Sequence, residues 1–284
     1  MKEIIKSTVL GFCFGVRRAV ELAEIALTEN KEKKVYSLGP LIHNEQCLNE
    51  LKKKGLIIID EADIHSIPDE SVVIIRAHGV SLNVVKILLK KRCNIIDATC
   101  TRVKASQKIV EKESLNKVIL FTGDSNHGEV KGIASYAENG NFNLIQYLED
   151  LKRLDEKIIE SENILLLSQT TFSSEEFEKI KNYLLKKNPK ANVINTICSA
   201  TKERQTALLN LCKVVDGIII IGGRNSANTN RLYQIAFNNC KRAVHIETAS
   251  EIPCEFFCMN KVGITAGAST PDEIISEVEK ELLK

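Results

Sequence analysis

The sequence has little excess charge of either sign: 39 Lys and Arg stand against 37 Asp and Glu, a formal net charge of +2. No broad basic field follows, so bulk attraction to nucleic acid or to a membrane surface has no support. The lysine-rich stretches at Lys31–Lys34 and Lys90–Arg92 read as solvated helix ends. Long apolar runs are also absent. Outside the glycine-broken stretch Val9–Val16 the longest run is four residues, as at Val118–Phe121 and Ile218–Ile221, whereas spanning a bilayer takes about 20. The first residues lack the apolar region and small-residue cleavage site of a secretion signal. The expected protein is cytoplasmic, with neither a membrane nor a nucleic acid among its partners. The length prior alone suggests about two domains. No Pro-, Gly- or Ser-rich linker interrupts the 284 residues, so whatever units they form should pack tightly. Nine cysteines, an odd number in a reducing compartment, argue against a disulfide framework. They are small core residues, metal ligands or nucleophiles.

What is present is a strand–loop–helix module used many times. Short apolar strands lead into polar or glycine-rich turns and then into helical patterns. Val35–Leu38 precedes Gly39-Pro-Leu-Ile-His43-Asn, Val72–Ile75 precedes Arg76-Ala-His78-Gly-Val, and Val118–Phe121 precedes Thr122-Gly-Asp-Ser-Asn-His127-Gly-Glu129. Ile164–Leu167 precedes Ser168-Gln-Thr170-Thr, Ile218–Ile221 precedes Gly222-Gly-Arg-Asn-Ser226-Ala-Asn228, and Val262–Ile264 precedes Thr265-Ala-Gly-Ala-Ser269-Thr-Pro. Strands alternating with helices imply parallel sheets, whose strand C-termini form the ligand crevice. Taken singly, such loops read as helix caps, where Ser, Thr, Asn and Asp are favoured anyway. Six of them, three with histidine, exceed what capping requires.

A second recurrence concerns cysteine. Thr8-Val-Leu-Gly-Phe-Cys13, Asn94-Ile-Ile-Asp-Ala-Thr-Cys100 and Asn192-Val-Ile-Asn-Thr-Ile-Cys198 each run a short apolar strand into a cysteine. Helical patterns follow through Arg17–Leu27, Val103–Leu115 and Glu203–Val214. The fold expected is α/β, with three similar units and mainly parallel sheets in a pseudo-threefold arrangement, each unit giving one cysteine to the centre. The units are assigned to residues 1–99, 100–197 and 198–284, with the N-terminal strand able to pack against the third. At strand-to-helix turns a side chain faces the crevice and helix N–H groups stabilise a thiolate. Three thiolates can hold an iron–sulfur cubane at three irons and leave the fourth open to substrate, where four-cysteine ligation is usual for electron transfer. Cys93, Cys212 and Cys240 read as structural and Cys47 as buried; Cys254 and Cys258 form a C-x₃-C pair without the second pair of a zinc knuckle.

His43, His78 and His127 share one class of position, while His65 and His245 lie outside the strand-end loops and read as structural. Ser226, Asn228 and Ser269 add neutral donors at helix starts, where anions bind readily. Histidines and neutral donors without a Lys-bearing phosphate loop suit a small diphosphate, which would also favour imidazolium. Glu129 can supply a proton in a closed site, and Thr170 can relay or orient it. The bland readings are a solvated helix-start carboxylate for Glu129 and a cap for Thr170.

Taken together the chain resembles the hydroxymethylbutenyl diphosphate reductase family. The matching stretches run in family order from Gly11-Phe-Cys-Phe-Gly-Val through Gly39-Pro-Leu-Ile-His-Asn, Arg76-Ala-His-Gly-Val, Asp97-Ala-Thr-Cys and His127-Gly-Glu-Val. They continue through Ser168-Gln-Thr-Thr, Ile197-Cys-Ser-Ala-Thr, Asn225-Ser-Ala-Asn-Thr-Asn-Arg and Thr265-Ala-Gly-Ala-Ser. The resemblance implies a trefoil of three α/β units around one 4Fe–4S cluster held by Cys13, Cys100 and Cys198. It implies reductive loss of the hydroxyl from 4-hydroxy-3-methylbut-2-enyl diphosphate, giving isopentenyl and dimethylallyl diphosphates. Glu129, Thr170 and His127 would handle the hydroxyl and the protons. His43, His78, His127, Ser226, Asn228 and Ser269 would hold the diphosphate. A ferredoxin or flavodoxin donor is implied because no nucleotide or flavin fingerprint is present, and a monomer is expected. Ala227 departs from members with a second serine, and Gly128 from members with proline, a change expected to loosen the Glu129 loop. Some members carry appended RNA-binding-type domains; none is expected in a chain read as ending at Lys284. Two other classes remain in view: a zinc-dependent diphosphate hydrolase using the same thiols, and a cluster-bearing sensor or scaffold.

Overall fold

The computed structural model describes residues 2–137 and 141–284. In chain order its first elements are β1 (Glu3–Lys6), α1 (Phe14–Glu29), β2 (Val35–Leu38), α2 (Glu45–Lys53), β3 (Leu56–Ile59), β4 (Val72–Ile75), α3 (Leu82–Lys90), β5 (Asn94–Asp97) and α4 (Thr101–Glu113). Next come β6 (Val118–Thr122), α5 (Gly128–Ala134), β7 (Phe142–Ile145), α6 (Leu148–Lys152), α7 (Glu156–Ile159), β8 (Ile164–Ser168), α8 (Ser174–Lys187) and β9 (Asn192–Val193). The last are α9 (Ser199–Cys212), β10 (Gly217–Ile221), α10 (Ala227–Asn239), β11 (Ala243–Ile246), α11 (Cys254–Phe257), β12 (Lys261–Ala266) and α12 (Asp272–Leu282). No helix among the described residues is long and apolar enough to cross a membrane.

The strands form three four-stranded sheets, in the orders β1-β12-β10-β11, β3-β2-β4-β5 and β7-β6-β8-β9. Pairings on both sides of β10, β4, β6 and β8 are parallel, as is β1 with β12. Three parallel α/β units are therefore present, as the alternating pattern predicts. Numbered within its own unit, every sheet has the same order, 2-1-3-4. In the first sheet β10, β11 and β12 are strands one to three, and the fourth is β1, Glu3 pairing with Lys261.

The inner strands read as unbroken apolar runs because both faces are covered. The two-residue period of β10 sends Ile219 and Ile221 to one face, with Ile274 and Val278 of α12. Ile218 and Ile220 go to the other, with Leu208 and Leu211 of α9 and Leu232 of α10. In the third sheet Leu120 and Leu166 pack with Phe177, Ile180 and Leu184 of α8. Ile119, Phe121, Leu165 and Leu167 face Val103, Val110, Val130 and Ile133 on α4 and α5. The second sheet buries Leu38, Val73 and Ile75 with Val84 and Leu88 of α3. Each such side chain contributes roughly 1.5–3 kcal/mol by leaving water.

By compactness the chain divides into two units. One comprises residues 1–24, 40–56 and 199–284 and holds the first sheet; the other comprises residues 25–39 and 57–198. One expected strand moves. Thr8–Leu10 is not a strand, and the strand before Cys13 is Glu3–Lys6. Its backbone finds a partner in β12, whereas Ser7 to Cys13 forms a loop that turns at Gly11, φ +75°.

Candidate active site

An order of 2-1-3-4 reverses direction between its first and third strands. Loops leaving those two strands flank the crevice where ligands bind in open parallel sheets. Among the described residues, the first-strand loops carry His43 after β2, His127 and Glu129 after β6, and Ser226 and Asn228 after β10. The third-strand loops carry His78 after β4, Thr170 after β8 and Ser269 after β12. Each fourth strand is followed by a cysteine that directly precedes a helix: Cys13 before α1, Cys100 before α4, Cys198 before α9. None of the three is in a disulfide, and all are of intermediate exposure.

Within the larger compact unit, α5 begins at His127, whose Nδ1 accepts the N–H of Glu129 at 3.2 Å. That bond needs a lone pair on Nδ1 and leaves Nε2 as the one ring nitrogen able to donate. The imidazolium expected from the sequence would break this cap. The ring of His78 meets that of His127 edge-on, centroids 5.2 Å apart and planes at 81°. Glu129 is 1% exposed. Its Oε1 accepts the backbone N–H of Thr170 and its Oε2 accepts the Thr170 hydroxyl, both at 2.7 Å. Burial pushes the Glu129 pKa up to about 7, against the pull of those two bonds. Thr170 is thus no helix cap, and Glu129 is no solvated carboxylate. The Thr170 carbonyl in turn accepts the N–H of Cys198 at 2.8 Å, and the N–H of Cys100 reaches the carbonyl of Ala77 at 2.9 Å, next to His78. A carboxyl that titrates near neutrality, fixed through Thr170 to the backbone of Cys198 at a helix start, is equipped to give and take a proton.

The other unit assembles the neutral donors. Ser226 caps α10, its Oγ accepting the N–H of Thr229 at 3.3 Å. Asn228, in the first turn of that helix, keeps its Nδ2 buried without a hydrogen-bond acceptor. Ser269 Oγ donates to the carbonyl of His43 at 3.1 Å. A β-carbon at Gly223 would lie 2.6 Å from that same carbonyl, so the His43 loop is seated against both neighbours. Cys13 joins this group through its N–H, which donates to the Ala268 carbonyl at 3.0 Å.

Two arginines escaped the sequence reading. Arg204, 2% exposed on α9, donates to the carbonyls of Ala266 at 2.9 Å and Gly11 at 3.0 Å, holding the turn two residues before Cys13. Arg76 closes the β4 loop by donating from Nε to the Gly79 carbonyl at 3.3 Å. Only Arg76 had a sequence signal, a cation placed directly after a buried strand. Of the remaining cysteines, Cys93, Cys212 and Cys240 lie in or against the sheet cores. Cys93 packs on the second sheet's core, and Cys212 is buried with Cys240 beside it. The Cys47 and Cys212 thiols are pushed up to about 11, chiefly by burial, which leaves them inert as nucleophiles. Cys254 and Cys258 are exposed. His245 Nε2 is bound to the Gly222 carbonyl at 2.7 Å.

Parallel sheets with polar switch-point loops, a buried acid near neutrality and a cysteine directly before a helix in each unit fit an α/β enzyme. The family model described as LytB protein matches residues 4–283. The chain belongs to the LytB protein family. The 4-hydroxy-3-methylbut-2-enyl diphosphate reductase of Treponema denticola is 45% identical over 98% of each chain. A solved structure of (E)-4-hydroxy-3-methyl-but-2-enyl diphosphate reductase, the terminal enzyme of the non-mevalonate pathway, is 39% identical. It covers all of this chain and 99% of its own, with a TM-score of 0.75. The E-1-hydroxy-2-methyl-but-2-enyl-4-diphosphate reductase from Plasmodium falciparum is 30% identical, with a TM-score of 0.89 over 98% of this chain and 86% of its own.

Proposed function

We propose that this enzyme reduces 4-hydroxy-3-methylbut-2-enyl diphosphate to isopentenyl and dimethylallyl diphosphates, the last step of the methylerythritol phosphate route to isoprenoids. The observation that carries the reading is the buried Glu129–Thr170 pair, joined by a backbone bond to Cys198. The names of its relatives support the same substrate class.

The reaction breaks the allylic C–O bond and consumes two electrons and two protons. One proton leaves with the hydroxyl as water; the other is added to carbon, and its position on the allyl unit selects the product. Cysteines outside any disulfide at three helix starts fit a 4Fe–4S cluster, so Cys13, Cys100 and Cys198 would be its ligands. Such a cluster supplies electrons one at a time and a coordination position for the substrate oxygen. The chain's own groups do the rest. Glu129, with a pKa of about 7, holds a transferable proton at neutral pH, and Thr170 orients its carboxyl. His127 offers Nε2 as a donor beside it. His43, His78, Ser226, Asn228 and Ser269 hold the diphosphate with His127, and the unpaired Nδ2 of Asn228 suits a phosphate oxygen. A ferredoxin or flavodoxin delivers the electrons to a cytoplasmic monomer.

The test is anaerobic: iron and sulfide content, then turnover of the diphosphate with a strong one-electron reductant. Alanine at Cys13, Cys100 or Cys198 should remove iron and activity together. Retained iron and turnover in those variants would defeat the proposal, and stoichiometric zinc without sulfide would replace it with the hydrolase.

A further inference from the structure

Arg76 is the first residue after β4, and its side chain is 17% exposed. Its Nη2 lies 2.6 Å from Glu61 Oε1, and its Nε reaches the Gly79 carbonyl. Two glycines border the guanidinium. A β-carbon at Gly39 would collide with Nη1, and one at Gly128 would lie 3.0 Å from Nη2. All these residues belong to one compact unit. Gly39, at φ +71°, opens the loop after β2; Gly79 follows His78; Gly128 follows His127. One flat cation therefore meets the bases of three strand-end loops.

We infer that Arg76 is a positioning residue that, anchored by Glu61, wedges against Gly39 and Gly128 and sets the placement of the His78 and His127 loops. The inference rests on the reading of those histidines as diphosphate ligands. Glu61 offsets the charge of Arg76, so its contribution is shape: a rigid planar fork thin enough to lie against glycine and wide enough to bond two neighbours. Lysine has the charge without the plate. Gly128, expected from the sequence to loosen the Glu129 loop, instead makes room for the group that holds it.

The experiment is a double-mutant cycle on cluster-loaded protein with Gly128→Ala, Arg76→Ser and the pair together. Binding of inorganic diphosphate is followed by calorimetry, and KM and kcat are measured with the hydroxymethylbutenyl diphosphate. Alanine displaces Arg76 while serine vacates its place, so either single change should weaken diphosphate binding and raise KM roughly 10-fold, with kcat altered much less. Adding Gly128→Ala to the serine variant should change little, because the obstructing group is gone. Arg76→Lys should behave like Arg76→Ser. Multiplying effects in the pair, or lowered melting temperatures with wild-type KM and diphosphate affinity, would overturn the inference. Failure of the wild-type protein to bind inorganic diphosphate would instead remove the diphosphate reading, and the inference with it.

Discussion

Replacing Glu129 by Gln should make the protein inactive and more stable at once. In the unfolded chain this carboxyl titrates at about 4.5; folding raises it to about 7, with burial the main cause. Between those values the native state keeps a proton that the unfolded state has released. Stability therefore falls as pH rises through the window and stays low above it. At about 1.4 kcal/mol per pH unit, the full loss is roughly 3 kcal/mol. Glutamine copies the protonated acid: its carbonyl can accept the Thr170 N–H, and its amide can donate to the Thr170 hydroxyl, which rotates to accept. The variant should match wild type within about 1 kcal/mol at pH 5 and exceed it by roughly 3 kcal/mol at pH 8. In a chain of this size that is a melting-point gain of roughly 5–10 °C. Anaerobic thermal melts of the two proteins at both pH values, with iron content matched, give the comparison. A difference no larger at pH 8 than at pH 5 would refute a buried, neutral-titrating acid at this position.

Three further outcomes are expected. Thr170→Val keeps the backbone donor but loses the hydroxyl bond to Oε2. It should lift the Glu129 pKa further and move the alkaline limb of the pH–rate profile upward, with turnover down roughly 10- to 100-fold. Asn228→Ala removes a buried donor that has no acceptor, so urea unfolding should show little lost stability, while KM for the diphosphate rises roughly 10-fold. Ile219→Ala opens a cavity between the first sheet and α12 and should cost about 2–5 kcal/mol in chemical denaturation without a matching change in KM.

Besides β5 and β9, the short apolar runs into a cysteine, six strands are legible in the sequence: the first and third of each sheet. They are buried on both faces, so their apolar runs are uninterrupted, and their loops hold the proposed binding residues. The second strands β3, β7 and β11 lie at sheet edges. Half-covered sequences such as Phe142-Asn-Leu-Ile and Ala243-Val-His-Ile carry a weaker pattern and were not read as strands. Cys13, Cys100 and Cys198 were recognisable because a turn and a helical repeat follow each. Strand order was not, since no local pattern tells which strands are neighbours. Nor was the role of Arg204: an arginine in a helical repeat reads as solvated, and only the packing of α9 on β12 and the Cys13 turn encloses it. The contact of Arg76 with Gly128 was hidden for a related reason, since the two lie 52 positions apart in the chain.

β1 completes a sheet whose other three strands come from residues 217–266, and Glu3 waits for Lys261. So long a closure is slow, and it cannot begin until residues 217–266 have left the ribosome. Until then the Cys13 turn has neither the Ala268 carbonyl nor Arg204 to hold it. One thiol of the proposed trio is thus withheld while the other two can already fold. Under the proposed ligand set, loading of iron and sulfide would wait for these contacts, and a variant lacking them would leave Cys13 out of place.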